Sequence, residues 1–116
     1  MKSLLIMIQK SPYGTSLVAE GFRFAIGTAS MGVDTKVVLL NDGVFTVTEG
    51  HDPTPIGMKP LNEAFANIGE YGVELLVVEE HLKERGLTQG MLRAGRVVPM
   101  AELRRMVDEA EGIIRF

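Results

Sequence analysis

The chain opens with Leu4-Leu5-Ile6-Met7-Ile8, breaks at Ser11-Pro12-Tyr13-Gly14-Thr15-Ser16, and then places Val18, Phe22, Ala25, Ile26 and Ala29 at helical spacing. Five consecutive apolar residues without alternation suit a strand covered on both faces, as in a parallel sheet. The Ser/Pro/Gly/Thr cluster ends that strand. From Leu17 the apolar period becomes helical, with Thr15 or Ser16 as the N-cap. Met31-Gly32 with Asp34 marks the helix exit, where glycine takes a left-handed conformation without a Cβ penalty. A buried strand feeding a helix is the repeating unit of a parallel α/β fold.

The same alternation continues. Lys36 to Leu40 reads as a second buried strand, closed by the turn Asn41-Asp42-Gly43. Val44 to Thr48 is β-rich and reads as a short extra strand or an extended loop. Glu49 to Pro60 is one long irregular segment, of a length that is functional or mobile in so small a domain. A short helix over Leu61 to Gly69 carries the stripe Leu61, Ala64, Phe65 and Ile68. Glu74 to Val78 is a third strand, followed by a helix over Glu79 to Arg85 that stops at Gly86. Arg96 to Val98 is a fourth strand. Pro99 opens a helix to about Glu109, with Leu103, Met106, Val107 and Ala110 inward and Arg104–Asp108 and Arg105–Glu109 as outer pairs. Gly112 to Phe116 is the fifth strand. This order predicts one domain over 1–116: a three-layer α/β/α fold on a mostly parallel five-stranded sheet.

Composition narrows the function. The chain has 116 residues, 46% hydrophobic and 23% charged, an ordinary globular balance that excludes disorder as the main state. A net charge of −3 argues against direct nucleic-acid binding through phosphates. With no cysteine, there is no disulfide scaffold, thiolate metal site or cysteine nucleophile on this chain. With two histidines, His51 and His81, and no thiolate, no closed zinc site is assembled. No metal and no cofactor is therefore expected. No segment reaches the roughly 18–20 apolar residues of a membrane helix. The first apolar run is too short for a signal peptide and meets Gln9 and Lys10 without a cleavage site. A cytoplasmic protein without membrane contact is the expectation.

In open parallel sheets, ligands bind beyond the carboxyl ends of the strands. That rule groups three segments. Tyr13, Gly14, Thr15 and Ser16 lead into a helix start, where amides and hydroxyls can hold an anion; they match neither the dinucleotide fingerprint nor a P-loop, and a tight turn with a cap explains them equally. Asn41, Asp42 and Gly43 suit a plain turn, or a carboxylate that orients a ligand. Val78, Glu79, Glu80 and His81 bring carboxylates beside an imidazole, a set capable of acid–base work. Glu79 also stands four residues before Lys83, as on any solvated helix start. The remaining candidates, Met58, Phe65, Tyr71, Met91 and Met100, read as core or as interface anchors.

Four segments in register resemble one family. Pro12-Tyr13-Gly14-Thr15-Ser16 with Glu20-Gly21 is similar to the P-x-G-T-S…E-G opening of the TusC/DsrF group. Asn41-Asp42-Gly43-Val44-Phe45 is similar to its D-G-V-F segment, and Leu82-Lys83-Glu84-Arg85-Gly86-Leu87 to its L-R-E-R-G-L. Ile113-Ile114-Arg115-Phe116 resembles its terminal I-L-R-F. The resemblance, to the DsrE/DsrF-like family, covers nearly the whole chain. It implies small three-layer α/β proteins that associate and pass persulfide sulfur between cysteines, in 2-thiouridine synthesis on transfer RNA or in sulfur oxidation. It also implies that the carrier cysteine of the thiol-bearing subunits stands at the end of the third strand. Eight residues before Gly86, that place holds Val78.

Valine supplies no thiolate, and Glu79 and Glu80 would disfavour one alongside. The resemblance therefore implies a cysteine-free structural or regulatory subunit, not itself an enzyme, in a hetero-oligomer with cysteine-bearing DsrE-like relatives. Two other readings compete. One is a stand-alone small-molecule or anion-binding module forming homo-oligomers. The other is an enzyme using Glu79 and His81 with Asp42.

Overall fold

The computed structural model describes residues 2–50 and 60–116. His51, Asp52, Met58 and most of the long irregular segment lie outside the described residues. Five strands form one sheet: β1 (Ser3–Ile8), β2 (Asp34–Leu39), β3 (Glu74–Val78), β4 (Arg96–Val98) and β5 (Gly112–Arg115). Their order is β4-β3-β2-β1-β5, and every pairing is parallel. The helices are α1 (Leu17–Ser30), α2 (Leu61–Ala66), α3 (Glu79–Glu84) and α4 (Met100–Glu109).

The apolar run of β1 is split between two cores by the pleat. Leu4, Ile6 and Ile8 point to a cluster with Val37, Leu39, Val77, Val18, Ala25 and Phe65. Leu5 and Met7 point the other way, to Val38, Leu76, Val78, Val98 and Leu103. Phe22, Ile26 and Ala29 of α1 close the first core, and Met106, Val107 and Ala110 close the second. Each fully buried large aliphatic contributes about 1.5–3 kcal/mol relative to exposure, so both faces must be covered. The result is three layers, with α1 and α2 on one face and α4 on the other. Gly21 allows α1 to sit down on the sheet: a Cβ there would lie 3.2 Å from Ile8 and 3.3 Å from Phe116.

Four local expectations are corrected. Val44 to Thr48 is neither a strand nor an extended loop: Asn41–Val47 winds into a 3-10 turn, and Thr48 alone bridges to Leu92. The expected short helix from Leu61 ends at Ala66, and Ile68–Tyr71 forms a separate 3-10 turn. Ser16 is the residue before α1, yet its side chain caps no backbone amide; it donates to Glu20 Oε1 at 3.2 Å. On α4, Arg105 pairs with Glu102 at 3.7 Å, not with Glu109, because Glu102 already anchors Arg96 on the neighbouring strand. Phe65 is wholly buried and is core rather than an interface anchor, whereas Tyr71 and Met91 are exposed. Among the described residues no helix is long and apolar enough to cross a membrane.

Candidate functional site

The carboxyl edge of β1, β2 and β3 is built on close backbone contacts. Leu40 N–H donates to the Ile8 carbonyl at 3.0 Å, so β2 ends against β1. Asn41 then takes a left-handed conformation, φ 51°, which asparagine tolerates better than branched residues. This turn lays Gly43 directly on the end of β1. A Cβ at that position would fall on the Ile8 carbonyl oxygen, so glycine is required by contact and not by dihedral.

Two of the three predicted segments meet here. Asn41 N–H donates to His81 Nδ1 at 2.7 Å. Arg85 Nε donates to Asp42 Oδ1 at 3.1 Å, and its Nη1 donates to the His81 carbonyl at 3.1 Å. Helix α3 is thus tied to the turn after β2 by His81 within it and by Arg85 at its C-terminal end. The imidazole lone pair at Nδ1 is engaged by a backbone amide, so the neutral ring carries its proton on Nε2. In that state neither nitrogen offers a free lone pair to a substrate proton, which removes the geometric basis for His81 as a general base.

The third segment is turned elsewhere. The Tyr13 hydroxyl accepts the Leu61 N–H at 2.9 Å, which ties the loop after β1 to the start of α2. Gly14, at φ 98°, Thr15 and Ser16 are exposed. Thr15 Oγ1 accepts the Leu17 N–H at 3.4 Å, and Glu20 occupies the first turn of α1. A carboxylate in that turn opposes an incoming anion, so the anion-cradle reading of this loop gains no support.

The acidic pair separates into two roles. Glu79 forms the i,i+4 pair with Lys83 at 3.3 Å, with both side chains largely in solvent, where such pairs are worth well under about 1 kcal/mol. Glu80 instead accepts the Met100 N–H with both oxygens, at 3.0 and 3.2 Å. It thereby closes the start of α4, where Pro99 has no capping side chain. That donor, followed by the Glu80 amide itself, holds the Glu80 carboxyl below the usual carboxylate range. Sequence spacing gave no hint of this contact, because it spans twenty residues and depends on β3 and β4 being neighbours.

Val78 ends β3 and immediately precedes α3. Its side chain has no exposed surface and belongs to the core beneath α4. One cavity, of about 180 Å³, lies at the opposite end of the sheet, lined by Ser3, Asp34, Lys36, Met106 and Glu109 among others. None of the predicted residues line it, and the topological rule for parallel sheets favours the carboxyl edge. Among the described residues, no group of three or more histidine, cysteine or acidic residues is placed to hold a metal.

Comparison with known proteins bears on the family and the fold. The sequence model of the DsrE/DsrF-like family matches residues 2–116. The chain is 34% identical over 90 residues to the intracellular sulfur oxidation protein DsrF of Allochromatium vinosum; the match covers 77% of this chain and 66% of that protein, just under two thirds of its length. It is 27% identical over 115 residues to a TusC homolog of Pseudomonas aeruginosa, covering 97% of both chains. Among solved structures, the ychN protein from E. coli superposes with a TM-score of 0.86 over 100% of both chains at 19% identity. At that identity the likeness speaks for the fold.

Proposed function

The chain belongs to the DsrE/DsrF-like family, and from that premise we propose that it is a cysteine-free structural or regulatory subunit of a cytoplasmic sulfur-relay complex, serving transfer-RNA thiolation or sulfur oxidation. The observation that carries the proposal is the state of Val78. Persulfide transfer requires a sulfur atom that can be reached and ionised. By resemblance, the carrier position is the end of β3, and there this chain has a branched hydrocarbon without exposed surface. No other position of the chain supplies a thiol. The likeness to a DsrF protein and to a TusC homolog favours a relay role over an unrelated one.

In this reading the side chains that would surround a reacting cysteine have become struts. His81 and Arg85 lock the β2–α3 corner, and Glu80 locks the β3–α4 corner. A rigid corner without its own nucleophile suits a subunit that shapes the assembly around a relative's cysteine. The test is transfer of labelled persulfide sulfur through a cysteine-bearing DsrE-like relative, with and without this chain. The expected result is sulfur on the relative and a marked fall in onward transfer when this chain is omitted. Unchanged transfer in its absence would overturn the proposal.

A further inference from the structure

The strut at the β2–α3 corner uses only one nitrogen of the His81 ring. Nδ1 accepts the Asn41 N–H at 2.7 Å. A hydrogen bond accepted at one ring nitrogen fixes the proton of the neutral imidazole on the other, so Nε2 is an N–H donor. Among the described residues nothing in the chain accepts from it. The ring is half-buried and stands three residues after Val78, within α3. The carboxylates around it are engaged elsewhere: Asp42 by Arg85 at 3.1 Å, Glu79 by Lys83 at 3.3 Å, and Glu80 by the Met100 N–H at 3.0 Å. The sequence-based objection to a sulfur anion beside Glu79 and Glu80 is thereby weakened, because each charge already has a partner. What the corner leaves unused is one neutral donor, oriented by a second hydrogen bond. Such a donor stabilises an anion without giving up its proton.

We propose that His81 Nε2–H donates to the carrier cysteine sulfur of the thiol-bearing relative. The inference rests on the relay-subunit reading and names the contact through which this chain acts on the relative's sulfur. In onward transfer an acceptor thiolate attacks the outer sulfur of the relative's Cys–S–SH. The bond from acceptor sulfur to outer sulfur forms, the original sulfur–sulfur bond breaks, and its electron pair leaves on the relative's cysteine sulfur. No bond forms or breaks on this chain. His81 donates to the leaving sulfur as its charge appears, and a donor aimed where charge develops favours that step. A thiol that is more easily ionised also leaves faster. The same contact favours the thiolate of the unloaded relative, because hydrogen bonding to a charged form stabilises it.

The test is the rate at which iodoacetamide alkylates the relative's thiol in the assembled complex, measured across pH. Two variants separate the two nitrogens of His81. His81→Asn sets a carbonyl oxygen about where Nδ1 stands, so it keeps an acceptor for Asn41 N–H, and it has no donor at the reach of Nε2. His81→Gln does the reverse: its amide extends to about the reach of Nε2 and leaves Asn41 N–H without its acceptor. With His81→Asn the pH midpoint of alkylation is expected to rise by about one pH unit relative to the wild-type complex, and sulfur transfer to an acceptor thiol to slow with it. His81→Gln is expected to be the less stable variant in chemical denaturation and yet to give the lower midpoint of the two. A purely structural His81 predicts the opposite order, with His81→Asn closer to wild type in both measurements, and that result would overturn the inference. So would equal midpoints for the wild-type and His81→Asn complexes. Either result leaves the subunit reading to the omission experiment, whereas failure of the relative to bind this chain would overturn both.

Discussion

Replacing Val78 with alanine measures whether the third-strand terminus is core or accessible surface. The side chain has no exposed surface and packs beneath α4 with Leu5, Met7, Val98 and Leu103. Truncation removes two buried methyl-sized groups, about 1.6 kcal/mol at ~0.8 kcal/mol each. The space left is roughly 40–50 Å³, worth about 1 kcal/mol more if the site does not collapse. The expected loss is therefore about 2–3 kcal/mol. In urea, with a slope of about 1–3 kcal/mol per molar, that moves the unfolding midpoint down by roughly 0.7–3 M. Val78→Cys is the matched control. It keeps one of the two lost groups as a sulfur atom and is expected to cost less than Val78→Ala. Its thiol would sit in apolar surroundings that disfavour the thiolate, so an aromatic disulfide reagent should modify it far more slowly in the folded protein than in urea. A Val78→Ala loss below about 0.5 kcal/mol, of the size usual for surface substitutions, would refute the reasoning. So would a thiol from Val78→Cys that reacts as fast folded as unfolded.

Three further outcomes follow from the corner contacts. Glu80 is held below its ordinary carboxylate range in the folded chain, so its stabilisation is fully present above the unfolded-state pKa and disappears as pH falls through the lower folded value. Wild type and Glu80→Gln should accordingly differ in melting temperature at neutral pH and converge in acid; curves that stay parallel would contradict the Met100 contact. Gly43→Ala drives a Cβ onto the Ile8 carbonyl oxygen and should cost at least the ~1–3 kcal/mol typical of overpacking, read by chemical denaturation. His81→Ala leaves the half-buried Asn41 N–H without its acceptor and should cost about 1 kcal/mol in the same assay.

The strands and the inward helix faces were legible because each is fixed by local apolar period: β1, the α1 stripe and the Leu103–Val107 stripe all fall where the spacing puts them. The residues 44–48 were not. Val44, Phe45 and Val47 favour a strand by propensity, but the chain must first pass Gly43 over the end of β1, and the tight turn that does so continues as a 3-10 helix. The sequence grouped Asn41, Asp42, Glu79 and His81 at one edge by topology alone. It did not reveal that Arg85 would hold Asp42, or that Glu80 would cap a helix twenty residues on. Those contacts depend on which strands are neighbours and on their register, which no local pattern encodes. Thr15 and Ser16 carry the right chemistry for a cap, yet Ser16 turns to Glu20 because the side chain there is exposed and the carboxylate lies one turn away.

The most direct measurement is the native mass of the tagged chain purified gently from its own host, with every co-purifying subunit identified. The account predicts a stoichiometric complex containing a DsrE-like relative that bears the cysteine this chain lacks. A complex of this chain alone, at full yield and with no thiol-bearing relative bound, would contradict it.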